Sequence, residues 1–316
     1  MLATRDKKRA QGRYYTVGNP FDCRPFWKWA EHADISHKTI LEPFAGSNSL
    51  IEHLEKLDLC PDWRAYDILP GAKGVRRRDT LISFPKNFDV CVTNPPWLAK
   101  NSATARKLPF PKCQYDDLYK FALEKCLDNC GWVAALVPES FIRADLFHSR
   151  LMDFVSLTAS MFEDTAHPVG LALFGPKKSE NVTVWSGRKR VGVLKNLQEH
   201  LPKPKTKKQQ ERFRAVRFNE PDGNLGLIAL DNTREPSIRF CRPEELDDYS
   251  ITYSSRALTK ISIPFTPKID AYNDFLKKIR ERTWDVLLTS FRGLRVDGRY
   301  RRRLDWESAR RIIAHV

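Results

Sequence analysis

The sequence predicts an α/β protein, a parallel sheet with flanking helices, followed by a smaller basic C-terminal domain. Three observations carry that prediction. Short apolar runs alternate with amphipathic stretches through the first half of the chain, the pattern of a parallel sheet covered by helices. One of these runs stops at Asn-Pro-Pro-Trp, where two prolines end a strand in a rigid turn. The charge is also uneven. Residues 1–174 hold 23 basic and 21 acidic side chains, net +2, whereas 175–316 hold 31 and 18, net +13. A near-neutral half joined to a basic half suggests chemistry in one and a polyanion grip in the other.

The elements follow in order. Thr39-Ile40-Leu41 is a strand that leads into Glu42-Pro43-Phe44-Ala45-Gly46-Ser47, and Leu50, Ile51, Leu54 and Leu57 follow at helical spacing. Trp63-Arg64-Ala65-Tyr66 is a second strand, ending at Asp67, and Phe88 to Thr93 is a third. A helix runs from about Asp116 to Asn129. The strand Trp132 to Val137 comes next, closed by Pro138, and Val169 to Phe174 is one more buried strand. Residues 1–197 form the first domain on this reading. The lysine-rich stretch 198–214, with its two prolines, reads as a basic linker or surface loop, and 215–316 as the basic domain. Leu225 to Leu230 and Ser237 to Phe240 look like a hairpin, and the tail, including Arg299-Tyr300-Arg301-Arg302-Arg303, is helical in pattern.

Composition narrows the class. With 41% hydrophobic and 11% aromatic residues, extensive disorder is not expected. No stretch approaches the roughly 18–20 apolar residues of a membrane helix, and the N-terminal residues lack a secretory apolar block. A soluble, cytoplasmic protein is expected. Seven scattered cysteines without a Cys-x2-Cys pair read as reduced structural thiols and offer no metal site.

The chemistry centres on Asn94-Pro95-Pro96-Trp97. The turn sits where a parallel sheet places ligands, at the carboxyl edge of its strands. There the Asn94 side-chain oxygen and the Pro95 carbonyl are two acceptors suited to one planar NH2 group. Trp97 supplies a flat face for a base. Upstream, the small-residue loop Glu42 to Asn48 lets backbone approach a cofactor, although it is neither Gly-x-Gly-x-x-Gly nor a phosphate loop. Asp67, roughly twenty residues on, stands where a ribose-binding carboxylate is expected. Asp79-Thr80-Leu81 adds a carboxylate and an apolar neighbour for a purine. In this order they describe a nucleoside-shaped slot.

From Gly12 to Phe174 the sequence resembles the S-adenosylmethionine-dependent DNA adenine-N6 methyltransferases. Within that family it is most similar to the group whose cofactor motifs precede the Asn-Pro-Pro-aromatic motif and whose recognition domain is C-terminal. The resemblance implies a Rossmann-like methyltransferase sheet with S-adenosylmethionine as cofactor. It places Tyr15 and Thr16, within Gly12-Arg13-Tyr14-Tyr15-Thr16, at the cofactor's methionine end. Glu42, Pro43, Phe44, Ala45 and Gly46 fall on the glycine-loop motif, Asp67 and Ile68 on the ribose motif, and Asp79, Thr80 and Leu81 on the adenine motif. Asn94, Pro95, Pro96 and Trp97 fall on the catalytic motif, with Asn94 also beside the cofactor, and Phe162 marks the opposite face of a flipped base. Two positions depart from the pattern: Asn48 replaces a common second glycine, and Trp97 a commoner tyrosine or phenylalanine.

The expected substrate is double-stranded DNA, gripped by Arg106, Lys107, Arg239, Arg256, Arg292, Arg295, Arg301, Arg302 and Arg303. The resemblance allows a cognate restriction endonuclease as partner, and a nucleoid-associated setting, or a host cytoplasm for a viral gene. The Asn-Pro-Pro-aromatic turn by itself does not choose between adenine in DNA, an amino group of an RNA base and a protein glutamine, although a protein substrate suits the net +13 half poorly. A DNA-binding protein with a decayed cofactor fold is the remaining alternative.

Overall fold

The computed structural model describes residues 16–159, 161–162, 166–248 and 256–316. The chain divides into two compact units between Arg190 and Val191. Residues 191–197, expected with the first domain, therefore fall in the second unit.

The first unit opens with α1 (Arg24–Ala33). This helix buries Pro25, Phe26, Trp29, Ala30 and Ala33, and the Trp29 indole N–H donates to the Phe174 carbonyl at 2.9 Å. Then come β1 (Thr39–Glu42), α2 (Ser49–Glu55), β2 (Asp62–Asp67), β3 (Arg76–Arg77) and β4 (Val90–Thr93). They are followed by α3 (Lys100–Ala105), α4 (Leu118–Asn129), β5 (Trp132–Pro138), β6 (Leu151–Ser156), β7 (Val169–Phe174) and β8 (Thr183–Ser186), and the unit boundary falls within β9 (Lys189–Val193). The strands join one sheet in the order β3-β2-β1-β4-β5-β7-β6-β8-β9.

Strands β3 to β5 run parallel, and β7 is antiparallel to both β5 and β6. All four residues of β4 and all six of β7 are buried, which is why these strands read as continuous apolar runs in the sequence. The result is a Rossmann-like α/β sheet, as the sequence predicts. Its strand order reverses between β1 and β4, so a crevice opens at their carboxyl ends.

The second unit holds α5 (Leu194–Glu199), α6 (Lys207–Ala215), β10 (Arg217–Phe218), β11 (Leu225–Ile228), β12 (Arg239–Cys241) and β13 (Leu258–Ser262). It ends with α7 (Ile269–Thr283), β14 (Thr289–Leu294), β15 (Tyr300–Arg303) and α8 (Trp306–His315). Strands β10, β13, β11 and β12 form a four-stranded sheet, with β11 and β12 paired antiparallel as the expected hairpin.

Two expectations need correction here. Half of the stretch read as a linker is helix α6, started by a capping box in which Thr206 and Gln209 satisfy each other's backbone N–H groups. Lysine, glutamine and arginine are good helix formers, so no apolar face is needed to build it. The arginine-rich part of the tail is not helical but forms the β14–β15 hairpin, in which Tyr300 and Arg302 point inward and their neighbours outward.

All seven cysteines are free, as expected. Among the described residues no helix is long and apolar enough to cross a membrane.

Candidate active site

The loops after β1 and β2 are laced together at the sheet's carboxyl edge. The Ala45 N–H donates to the Tyr66 carbonyl (2.9 Å), and the Gly46 N–H to Asp67 Oδ2 (2.8 Å). The Gly71 N–H donates to the Gly46 carbonyl (2.9 Å), and Leu69 N–H to Asp67 Oδ1 (2.7 Å). A Cβ at position 71 would lie 2.8 Å from the Gly46 oxygen, so only glycine lets the two loops approach this closely. Asn48 sits at φ 66°, a left-handed conformation that asparagine tolerates better than most side chains. The backbone role expected of a glycine there is thus kept.

Beside these loops lies a cavity of about 660 Å³. Thr16, Glu42, Phe44, Ala45, Gly46, Asp67, Ile68, Asp79, Thr80, Leu81, Asn94, Pro95 and Pro96 all line it. Residues scattered over nearly eighty positions of sequence are brought to one space by the carboxyl ends of β1, β2 and β4. Pro43 stands behind the lining, its carbonyl accepting from Thr80 Oγ1 at 2.8 Å. Asp79 Oδ1 accepts from the Leu81 N–H (3.0 Å), which fixes the turn that carries Leu81. Tyr15, with Gly12 to Tyr14, lies outside the described residues.

Glu42 is the electrostatic outlier. It is 1% exposed, and its Oε1 accepts from Thr93 Oγ1 (2.7 Å) and the Phe44 N–H (3.0 Å). Burial pushes its carboxyl up to about 8, against those two hydrogen bonds, and the nearby Asp67 charge pushes the same way. Its hydrogen-bond donors are neutral, and it faces a cavity.

At the cavity's other element, the Asn94 amide nitrogen donates to Thr16 Oγ1 at 3.3 Å, which assigns Oδ1 as the amide's acceptor. Thr16 is itself held by an isolated antiparallel bridge to Phe162.

The aromatic pair differs from expectation. Trp97 does not line the cavity. Its ring meets Phe162 edge to face, with centroids 5.2 Å apart and planes at 84°. Phe162 is 2% exposed and belongs to the core beneath the sheet, so it braces Trp97 rather than presenting a second face to a base. A sequence motif marks an aromatic residue, not which way its ring is turned.

Several lining residues escaped the sequence reading: Leu69, Arg77, Arg78, Ile82, Leu98, Leu108, Pro109, Phe110, Pro111 and Leu118. Leu98, Ala103 and Leu118 form a small core against which Leu81, Leu108 and Phe110 pack. The segment after Trp97 is α3 followed by a wall of Leu108, Pro109, Phe110 and Pro111. That apolar run soon after the Asn-Pro-Pro-Trp turn was the available signal. Arg106 and Lys107 lie exposed at the end of α3.

The basic residues of the second unit divide. Arg256 and Arg292 are exposed, and Arg239, also exposed, pairs with Glu245 at 2.8 Å. Arg301 is half-buried, donating to the Asp231 carbonyl (2.8 Å), and Arg303 is half-buried in the β15 strand. Arg295 and Arg302 are buried and do not face a nucleic acid as expected. Arg295 bonds Asp231 (2.7 Å), Asp285 (3.1 Å) and Asp297 (2.9 Å), and Arg280 grips Asp231 and Asp285, both at 2.8 Å. Arginine count shows a charge excess, not which guanidinium is spent inside.

No protein-family model matches the chain, and no curated protein sequence does. Solved structures that superpose on part of it include a candidate class I S-adenosylmethionine-dependent methyltransferase of Listeria monocytogenes, with TM-score 0.39 and 15% identity over 52% of this chain and 64% of that one. Another is a type I restriction-modification methyltransferase subunit of Streptococcus thermophilus (TM-score 0.38, 18% identity, 62% and 50%). A third is a candidate RNA methyltransferase of Pyrococcus horikoshii (TM-score 0.38, 16% identity, 54% and 91%). The superposed part spans 64% and 50% of the first two chains.

Proposed function

We propose that the chain transfers a methyl group from S-adenosylmethionine to the N6 amino group of adenine in DNA. The supporting observation is that Asn94 and Pro95 open onto the same cavity as Glu42, Asp67 and Asp79, so an amine held at the turn and a nucleoside held by the acids share one space.

The residues fit the cofactor's chemistry. Its volume lies within the range typical of small-molecule sites. Glu42, a buried carboxyl lined by neutral donors, suits the ammonium of the methionine portion, which would favour its charged form. Asp67 suits the ribose hydroxyls and Asp79 the adenine amino group, while Leu81, Ile82 and Phe110 give the ring an apolar wall. When bound, S-adenosylmethionine supplies an electrophilic methyl carbon on a positively charged sulfur.

The exocyclic amine of adenine is a poor nucleophile because its lone pair is delocalised into the ring. Asn94 Oδ1 and the Pro95 carbonyl accept its two hydrogens. They favour a pyramidal nitrogen, and they stabilise the positive charge that grows there as the new N–C bond forms. Pro95 and Pro96 hold both acceptors rigid, so no reorganisation is needed at that moment. The nitrogen's proton then passes to water, and no strong base is required. The target adenine leaves the helix to reach the turn, at a cost of a few kcal/mol. The excess positive charge of residues 175–316 favours a polyanionic substrate.

The test is transfer of labelled methyl to DNA and RNA, with nucleoside analysis of the products. N6-methyladenine in DNA is expected. Asn94→Ala should lower turnover about 10²–10³-fold while leaving the fold intact. Product confined to RNA, or an Asn94→Ala chain as active as the parent, overturns the assignment.

A further inference from the structure

We propose that the β14–β15 hairpin is a wedge for double-stranded DNA, its tip inserting the aliphatic side chains of Leu294 and Val296 between base steps. This rests on the DNA reading above.

The tip is built around an inward arginine. The Arg295 side chain is 0% exposed, held by Asp231, Asp285 and Asp297. Side chains alternate along a strand, so drawing Arg295 in at the end of β14 leaves Leu294 on the opposite side, and Val296 follows as the first residue of the turn. Leu294 is 37% exposed and Val296 84%.

The backbone fixes this arrangement. Arg295 N–H donates to the Arg299 carbonyl (2.8 Å), Gly298 N–H to the Arg295 carbonyl (3.0 Å), and Val296 N–H to the Thr233 carbonyl (3.0 Å). Gly298, at φ 75°, supplies the left-handed residue that the reversal needs. Buried ion pairs thus hold two apolar side chains in solvent.

The surroundings identify the occupant. Residues 289–303 carry six arginines against one acid, Asp297; Arg295 and Arg302 are buried and Arg299 pairs with Asp297, which leaves Arg292 exposed and Arg301 and Arg303 half-buried. Arg292 is exposed beside Leu294, Arg299 lies over the Trp284 ring at 4.5 Å, and Arg301 over the Phe291 ring at 5.3 Å. Cations around a small aliphatic point match a phosphate-flanked base step, where apolar wedges unstack and bend a duplex. Two aliphatic side chains are too small an apolar area for the core of a stable protein interface. Single-strand binding relies on aromatic platforms, and here both rings already carry guanidinium groups.

The experiment uses the full chain and a short mixed-sequence DNA duplex with a fluorophore at each end. The parent chain should bind it and bring the ends closer. Leu294→Ser with Val296→Ser should weaken binding about tenfold and abolish the end-to-end change, leaving the salt dependence as it was. Val296→Ile should keep both. Val296→Ser alone, at a solvent-exposed site, gives the same sign if the double variant changes its near-ultraviolet circular dichroism. A serine variant that binds and bends like the parent overturns the wedge while the DNA reading stands. Loss of self-association without a change in DNA binding assigns the patch to a second copy of the chain and also overturns it. A parent chain that methylates RNA and binds no duplex DNA removes both readings together.

Discussion

The two units bury carboxylates in opposite ways. In the second, Asp231 is fully buried but lies between Arg280 and Arg295. Burial alone would raise its carboxyl, yet the Arg280 hydrogen bonds and charge hold it below the usual range. In the first, Glu42 is as deeply buried with only neutral donors, and it rises to about 8. A buried acid that finds its counter-charge within the chain is committed to the fold. One that lacks it and faces a cavity is poised for a ligand that brings the charge.

The contrast is broken most severely at Arg280. Arg280→Ala leaves Asp231 and Asp285 with less than their full set of partners, and should destabilise the second unit by roughly 3–5 kcal/mol. Hydrogen exchange of peptides from 191–316 would report the loss, and exchange within the first sheet should stay near that of the parent.

Glu42 gives the next effect, and its sign is opposite to that of Asp231. Between its ordinary 4.5 and about 8, folded Glu42 keeps a proton that the unfolded chain has released. Its contribution to stability is therefore full below pH 4.5 and is lost as pH rises through 8, a difference on the order of a few kcal/mol. Asp231 behaves conversely: its contribution is present above the unfolded carboxylate range and is lost as pH falls through its lowered folded value. Denaturant titrations of the ligand-free chain across pH should show the alkaline decline, and Glu42→Gln should flatten it.

The same substitution sharpens the functional side of the comparison. Glu42→Gln should weaken S-adenosylmethionine about ten- to a hundredfold, the value of one charge-assisted hydrogen bond. Calorimetry at neutral pH in buffers of different ionisation enthalpy should detect proton release on binding to the parent and none with the variant.

The smallest effect lies at the seam of the two loops. Gly71→Ala pushes a methyl against the Gly46 carbonyl, and should cost about 1–3 kcal/mol in melting experiments while weakening cofactor binding. An unchanged melting temperature would mean the loops separate freely.

How much was legible in the sequence follows from where the information is local. The strands Val90–Thr93 and Trp132–Pro138 hold continuous apolar runs because both faces are covered, as does the shorter Ile40-Leu41 of Thr39–Glu42, and a run of that kind is visible without a structure. The Asn-Pro-Pro-Trp turn is visible because proline restricts its own backbone and that of the residue before it. Strand Leu151–Ser156 was missed, since its half-buried Met152 and Asp153 interrupt the apolar signal. Sequence also gave the acids at positions 42, 67 and 79 and their order.

Only the tertiary structure decided which of these share a cavity, that Leu108 to Pro111 closes one of its walls, and that Phe162 stands behind Trp97 in the core. Only it decided that Arg295 and Arg302 are consumed inside the second unit while Val296 is left in solvent. Composition records how many charges a chain carries. Whether a given charge meets a partner or water depends on residues far away in sequence, as Arg295 depends on Asp231, and no local pattern encodes that meeting.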